Sequence, residues 1–444
     1  MAKYDGRAPR YTSYPTAVQF TPAVDETVYR SWLADLRQDD PVSLYVHIPF
    51  CSRLCWYCGC NTRAVRRHGP IGDYVGYLLD EVRLLGKALP GKLQASSIHL
   101  GGGTPNLLTI GELDLLFARL ERVFKLSAAL EFATEIDPPF LTREWVQAAA
   151  RHGLNRASLG VQNLAPRVQD AVNRKGSLEE IERCVGWLRE AGVASINLDL
   201  MYGLPHQTVA NTLATLDQVL PLRPERLALF GYAHVPWMKA HQQLIHEAAL
   251  PDAAERLDQS ETAAQRLVAE GYVRIGLDHF ALPDDELAKA QAAGRLHRNF
   301  QGYTTDAAGT LLGLGASAIG RLPQGFVQNI TSELDWRAAV SKSKLPVARG
   351  VASSRDDQLR AEIIERLMCS LYVDLFEVCD RHDRELGELS RELDRLRPYQ
   401  RDGLVVVDGG RVTVTPPGRL VVRSICSVFD RYFAPAEVRH AKAL

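Results

Sequence analysis

Four cysteines crowd into one short run, His47-Ile-Pro-Phe-Cys51-Ser-Arg-Leu-Cys55-Trp-Tyr-Cys58-Gly-Cys60. Cys51, Cys55 and Cys58 follow a C-x3-C-x2-C spacing that fits an iron–sulfur cluster one protein ligand short. A cubane takes one soft sulfur per iron, so three thiolates leave one iron open to something that is not protein. Cys60 stands one residue from Cys58, which points the two thiolates poorly at a shared cube, and it is expected not to bind iron. A structural zinc site would pair two C-x2-C knuckles. The other cysteines, Cys184, Cys369, Cys379 and Cys426, are scattered singly and read as buried free thiols. A disulfide framework suits a small secreted chain, not 444 residues with no apolar leader at the start.

Strands and helices alternate after the cysteines and must position them. Short apolar or β-branched runs lie at 43–48, 96–100, 131–136, 157–161, 195–202 and 227–233. Helical patterns at 73–89, 111–124, 142–152, 178–191 and 208–220 fall between them, with apolar residues three and four apart, as in Tyr77, Leu78, Val82 and Leu85. This alternation implies right-handed βαβ units and a parallel sheet, either a curved partial barrel or an open doubly wound sheet. Periodicity alone does not choose between them.

Chemistry in such folds gathers where strands end. The second strand runs into Gly101-Gly102-Gly103-Thr104-Pro105, where consecutive glycines permit close backbone approach and offer unencumbered N–H groups. The third ends in Glu135-Ile-Asp137-Pro138, a carboxylate suited to ribose hydroxyls, and the fourth in Gln162, with Arg174 following. The fifth carries Asp199. Each taken singly reads more simply as a cap or a loop residue. Recurrence on successive strands outweighs that reading.

The cysteine spacing resembles the radical S-adenosylmethionine (SAM) superfamily, whose open iron chelates SAM and whose cluster splits it to a 5′-deoxyadenosyl radical. The resemblance narrows further. Arg10-Tyr-Thr-Ser-Tyr-Pro-Thr16, Tyr45–Cys51, Cys60, Gly101–Pro105, Asp278–Glu286, His297-Arg-Asn-Phe-Gln-Gly-Tyr-Thr-Thr305 and Leu312–Ile319 all resemble oxygen-independent coproporphyrinogen III oxidases, from about residue 8 onward. A local difference is Trp56-Tyr57, where that family commonly has a pair containing Phe. The resemblance implies an α/β fold: a partial (β/α)6, TIM-like barrel with a smaller, mainly helical, winged-helix-like C-terminal domain. It also implies one [4Fe–4S] cluster and two SAM molecules. Tyr45, Gly102, Glu135 and Ile319 would meet the cluster-bound SAM, and Tyr57, Gly103, Thr104, Gln162, Arg174, Asp199 and Ala233 the second.

The activity implied is removal of carbon dioxide from two propionates of coproporphyrinogen III, leaving vinyl groups and giving protoporphyrinogen IX in haem biosynthesis. The hydrogen to be removed lies β to the carboxylate with no carbonyl to acidify it, so a side-chain base is a poor candidate. A cofactor radical suits it, and no protein group is assigned as the catalytic residue. Two alternatives are a related haem-carrying protein without decarboxylase activity and a radical SAM enzyme acting on another tetrapyrrole. Haem-carrying relatives typically lack the equivalents of Cys60, Arg10–Thr16 and His297–Thr305, all present here.

Propionates call for cations, and Arg10 and Arg298 are the candidates, in motifs that cofactor binding leaves unexplained. The expected division is an N-terminal arm over 1–40, which either stays unstructured or closes over substrate through Arg7, Arg10, Tyr11 and Tyr14, the barrel and its extension over 41–350, and a C-terminal domain over 351–444. Helices at 356–379 and 383–396, a hairpin at 404–415 and a helix at 418–432 are expected in the last. It shows no basic stripe for DNA and reads as a cover over the barrel mouth. With 46% hydrophobic and 24% charged residues the chain is globular, and its formal net charge of −1 gives no field for nucleic acid or membrane. No apolar run approaches the ~20 residues needed to span a bilayer. A cytoplasmic monomer served by an external electron donor and acceptor is expected.

Overall fold

The computed structural model describes Tyr4 and residues 8–433. Its frame is β1 (Val42–Ile48), α1 (Gly69–Ala88), β2 (Gln94–Gly102), α2 (Ile110–Val123), β3 (Lys125–Ile136), α3 (Arg143–Arg151), β4 (Leu154–Gln162), α4 (Leu178–Glu190), β5 (Ser195–Tyr202), α5 (Val209–Val219) and β6 (Arg226–Gly231). Four of the helices start where a hydroxyl accepts a backbone N–H in the first turn: Thr109, Thr142, Ser177 and Thr208. Glu112 and Glu180 reach back to complete capping boxes at two of them.

The six strands lie side by side in chain order, all parallel. A doubly wound sheet reverses its strand order near the middle. Unbroken order with right-handed crossovers keeps every helix on one face and curls the sheet into a partial barrel. Alternation then sorts the side chains. Leu44, Val46, Ile98, Leu100, Ile196 and Leu198 pack outward in the main core, whereas Tyr45, His99, Glu135, Ser158, Asn197 and Asp199 alternate with such residues along their strands and face in.

Both edges are extended by strands that the periodicity did not show. Thr310–Leu314 joins β1 in parallel, followed by antiparallel Ile319–Leu322, Gly325–Asn329 and Val347–Ala352. At the other edge His279–Ala281 and Val273–Ile275 run antiparallel beside β6. Buried Glu81 of α1 ties down the first extension, accepting from Gly315 N (2.8 Å), Asn329 Nδ2 (2.6 Å) and Trp336 Nε1 (3.1 Å). Burial pushes its carboxyl up to about 7 despite these donors.

The C-terminal part is mainly helical with its own core and a three-stranded sheet. The helix expected at 356–379 is broken: Arg355–Ser370 ends at Leu371 in the left-handed region (φ 57°). Tyr372–Asp374 then pairs with Arg411–Val414, and Asp374 caps a new helix, Leu375–Arg381. The helix expected at 383–396 forms at Ser390–Arg401, and the one at 418–432 divides into Pro416–Arg419 and Val422–Cys426. Tyr4, Tyr11 and Tyr14 from the start of the chain are buried in this second core, with Tyr11 donating to Asp430 at 3.1 Å. Helix Glu26–Ala34 instead packs Tyr29, Trp32 and Leu33 into the barrel core. Arg7 lies outside the described residues. No helix among the described residues is long and apolar enough to cross a membrane.

Candidate active site

The cysteine loop leaves β1 at the mouth of the barrel and is braced from three sides. Phe50–Cys51 pairs with Arg63–Ala64, and Thr104 N donates to Phe50 O at 2.7 Å. From the loop after β4, Asn173 Nδ2 reaches Leu54 O (2.9 Å), and Val172 O accepts from Trp56 N (3.0 Å). From the loop after β6, Lys239 Nζ donates to Cys60 O (3.0 Å) and Gln242 Nε2 to Tyr57 O (3.1 Å), while His241 Nε2 lies 2.7 Å from Cys58 O.

Cys55 is buried, Cys51 and Cys58 are half-buried, and Cys60 is exposed. Burial pushes the Cys51 thiol up to about 11 against a hydrogen bond from Thr104. Cys58 is pulled down to about 6, first by a hydrogen bond from the Cys60 thiol. Among the described residues no three His, Cys, Asp or Glu side chains converge on a single-ion site. Three soft thiols on one loop, with Arg174 Nη1 3.7 Å from Cys55 Sγ and Thr104 beside Cys51, form a donor set that fits an iron–sulfur cluster.

The glycine run works differently from the expectation. Gly102 N donates to Glu135 Oε2 (2.9 Å) and Gly103 N to Ile48 O (2.8 Å), so neither N–H is unencumbered. The glycines are required by close packing. A Cβ on Gly102 (φ 109°) would stand 2.4 Å from the His47 ring, and one on Gly103 2.5 Å from Phe50 O. His47 in turn holds Tyr45 OH at 3.0 Å, and Ile319 opens the strand beside the one paired with Tyr45.

Burial alone would raise the Glu135 carboxyl, but the His99 ring, 3.6 Å from its Oε1, and the Gly102 N–H outweigh it and hold it below its ordinary range. Asp199 is the opposite case. Burial pushes it up to about 6, although Ser158 Oγ (2.7 Å) and Asn197 Nδ2 (2.8 Å) donate to its two oxygens. Arg174 is committed to Asp137 Oδ1 (2.8 Å) and Gly160 O (2.7 Å). Gln162 ends β4 at φ 65°, Tyr57 packs with Trp56 against Val168, Val172 and Tyr232, and Ala233 O accepts from Gln242 Nε2 at 3.3 Å.

Below these residues lies a cavity of about 140 Å³, walled by His99, Glu135, Ser158, Asn197, Asp199, Arg156, Arg226, Phe230, His279, Gln301 and Tyr303. Most of its lining was not picked out in the sequence, although Asn197 stands two positions before Asp199 and His99 two before Gly101. Strand period alone places them on the same face.

Asp278 joins the two candidate substrate arginines. Arg298, 6% exposed, lies over the Tyr303 ring (4.4 Å) with Nη1 4.0 Å from Asp278 Oδ1. Its Nε and Nη1 are buried without a hydrogen-bond partner. Arg10 is exposed, and its charge also acts on Asp278. Against burial, His279, Arg298 and Arg10 hold the Asp278 carboxyl down at about 2.

Comparison with known proteins accords with this geometry. The radical SAM superfamily profile matches residues 45–219, and the HemN C-terminal domain profile matches residues 353–421. An oxygen-independent coproporphyrinogen III oxidase of Bradyrhizobium diazoefficiens is 46% identical over 438 residues, covering 99% of this chain and 97% of that protein. The chain belongs to the oxygen-independent coproporphyrinogen III oxidase family. The Escherichia coli member is 39% identical over 431 residues, 97% of this chain and 94% of its own. The solved structure titled "Coproporphyrinogen III oxidase (HemN) from Escherichia coli is a Radical SAM enzyme" matches at a TM-score of 0.92 and 38% identity, covering 96% of this chain and 98% of that one. Membership makes the site one for a [4Fe–4S] cluster and SAM.

Proposed function

We infer that this chain decarboxylates two propionate side chains of coproporphyrinogen III without oxygen, giving the vinyl groups of protoporphyrinogen IX in haem biosynthesis. The observation that carries the reading is the three-thiol loop together with a polar cavity lined by Glu135 and Asp199, whose lining residue Tyr303 is stacked by Arg298, a buried guanidinium with unsatisfied donors. The bound cluster and SAM supply a carbon radical able to remove an unacidified hydrogen. The propionate carboxylate then leaves as carbon dioxide, and one electron passes to an external acceptor. No proton is released, so no general base is required.

Cys51, Cys55 and Cys58 hold the cluster, and Cys60 supports Cys58 from outside it. Two SAM molecules fit the distribution of the candidate residues. Tyr45, Gly102 and Glu135 group on β1, β2 and β3, and Ile319 opens the second extension strand beyond β1. Gln162, Arg174, Asp199 and Ala233 group at β4, β5, β6 and their loops, while Tyr57 lies on the cysteine loop and Gly103 and Thr104 follow β2. Arg10 and Arg298 bind substrate carboxylates, and the C-terminal module covers the mouth. The protein's task is to orient substrate and exclude water. A cytoplasmic monomer receiving electrons from a separate donor fits this chemistry.

Anaerobic incubation of the reconstituted protein with coproporphyrinogen III, SAM and reductant tests it. Product mass should fall by two carboxyl groups' worth of carbon dioxide and hydrogen. Unchanged substrate with intact SAM cleavage would overturn the substrate, and haem binding without turnover would favour a carrier.

A further inference from the structure

We propose that the surface over the cysteine loop docks an acidic one-electron carrier protein. The inference rests on the cluster reading above and adds where and by what chemistry the electron donor binds. Among the described residues, three of the eleven exposed large hydrophobic side chains fall in one short stretch: Trp237 (44% exposed), Met238 (67%) and Leu244 (55%). Lys239, His241 and Gln242 of the same stretch are bonded to the carbonyls of Cys60, Cys58 and Tyr57. The apolar patch is therefore fastened to the loop that carries the cluster ligands. Apolar surface of this kind, rimmed by polar groups, marks protein–protein contact.

Charge selects the partner. Residues 41–72 contain no Asp or Glu; Arg63 among them is paired with Glu333 at 2.6 Å, which leaves Arg66 and Arg67 as the exposed cations, in a chain whose formal net charge is −1. Val65 N donates to Cys51 O at 2.9 Å, so Arg66 and Arg67, both exposed, follow directly from the first cluster ligand. Lys239 adds a further cation beside Cys60. Exposed cations and exposed apolar side chains fastened to the same loop suit a small carrier with an acidic face, steered in by its charge. One electron leaves the carrier's reduced flavin or iron–sulfur centre and reduces the oxidised cluster by one. No atom is transferred.

The test uses reconstituted holoenzyme, with cluster content fixed beforehand by iron and visible absorbance. Cluster bleaching is timed with photoreduced flavodoxin, an acidic carrier, and separately with photoreduced deazaflavin, a small molecule that needs no docking surface. Met238→Glu and the double variant Arg66→Glu/Arg67→Glu should each slow flavodoxin reduction roughly tenfold or more. The double variant should also flatten its dependence on ionic strength. Deazaflavin rates should match wild type. Equal flavodoxin rates in wild type and variants would overturn the proposal, as would a parallel fall in both reductants. So would a wild-type dimer that Met238→Glu converts to monomer at unchanged flavodoxin rate, since the patch would then join two copies. A protein that assembles no cluster fails on the earlier reading instead.

Discussion

The Ser158 hydroxyl on β4 donates a 2.7 Å hydrogen bond to Asp199 Oδ2 on β5, while Asn197 fills Oδ1. The carboxylate is thus oriented before any ligand arrives, yet burial pushes it up to about 6. As pH falls through that value the acid gains a proton and loses its charge. Binding of the second SAM should weaken between pH 8 and pH 5 in wild type. In Asp199→Asn, equilibrium binding should drop from about two equivalents to about one and lose this pH dependence, treating the sites as independent. Wild type binding one equivalent throughout would remove the second site.

Gly102 offers a steric test. Alanine there would hold φ near 109° with its Cβ against His47, whereas Gly59 has nothing within 4 Å. Denaturant unfolding of the apo protein should show Gly102→Ala destabilised on the order of 2–3 kcal/mol and Gly59→Ala nearly unchanged. Equal effects at the two positions would contradict the close packing of β2 on His47.

For the thiols, serine at Cys51, Cys55 or Cys58 should abolish the cluster, because a hydroxyl is a hard ligand for iron. Cys60→Ser should keep most of the iron and visible absorbance. Complete loss of iron in Cys60→Ser would make it a fourth ligand.

Arg10→Ala and Arg298→Ala should leave reductive SAM cleavage without substrate nearly unchanged while depressing vinyl formation. Losing a desolvated charge-assisted contact costs about 2–3 kcal/mol, roughly a thirty- to hundred-fold fall in kcat/KM. Wild-type decarboxylation in both variants would place the propionates elsewhere.

Glu81 predicts a pH dependence of folding far from the chemistry. Its folded value is raised from 4.5 to about 7, so the protonated form is the one the fold favours. Its contribution is full below the unfolded value and is lost as pH rises through about 7, on the order of 3 kcal/mol. Glu81→Gln should lose less stability than wild type between pH 5 and pH 8. Parallel curves would mean that Glu81 does not titrate there.

Much of this was legible because strand and helix periods are local. The six strands and five helices of the barrel appear within four residues of their expected bounds, except that β3 begins at Lys125 rather than 131, and the inward residues of each strand follow from one recognised member. The antiparallel extensions were hidden because strands such as Val273–Ile275 and His279–Ala281 are too short to show a period. Leu371 interrupts an amphipathic stretch without Gly or Pro to announce it. The clamp at Lys239–Gln242 acts through backbone carbonyls of Tyr57, Cys58 and Cys60, and such contacts leave no trace in residue type. At Gly102 and Gly103 the backbone comes close to the chain's own His47 and Phe50, a packing that the residue types alone do not name.

Tyr11 bonding to Asp430 sets an order of events during synthesis. The segment that carries Arg10 emerges long before its buried seat among Leu367, Val412 and Phe429 can be made. Domains fold as they leave the ribosome, N-terminal parts first. The cysteine loop and β1–β6 can therefore fold while the first residues still lack their seat. A truncation before Val422 should leave a barrel able to take up iron from solution but unable to seat its own leading residues.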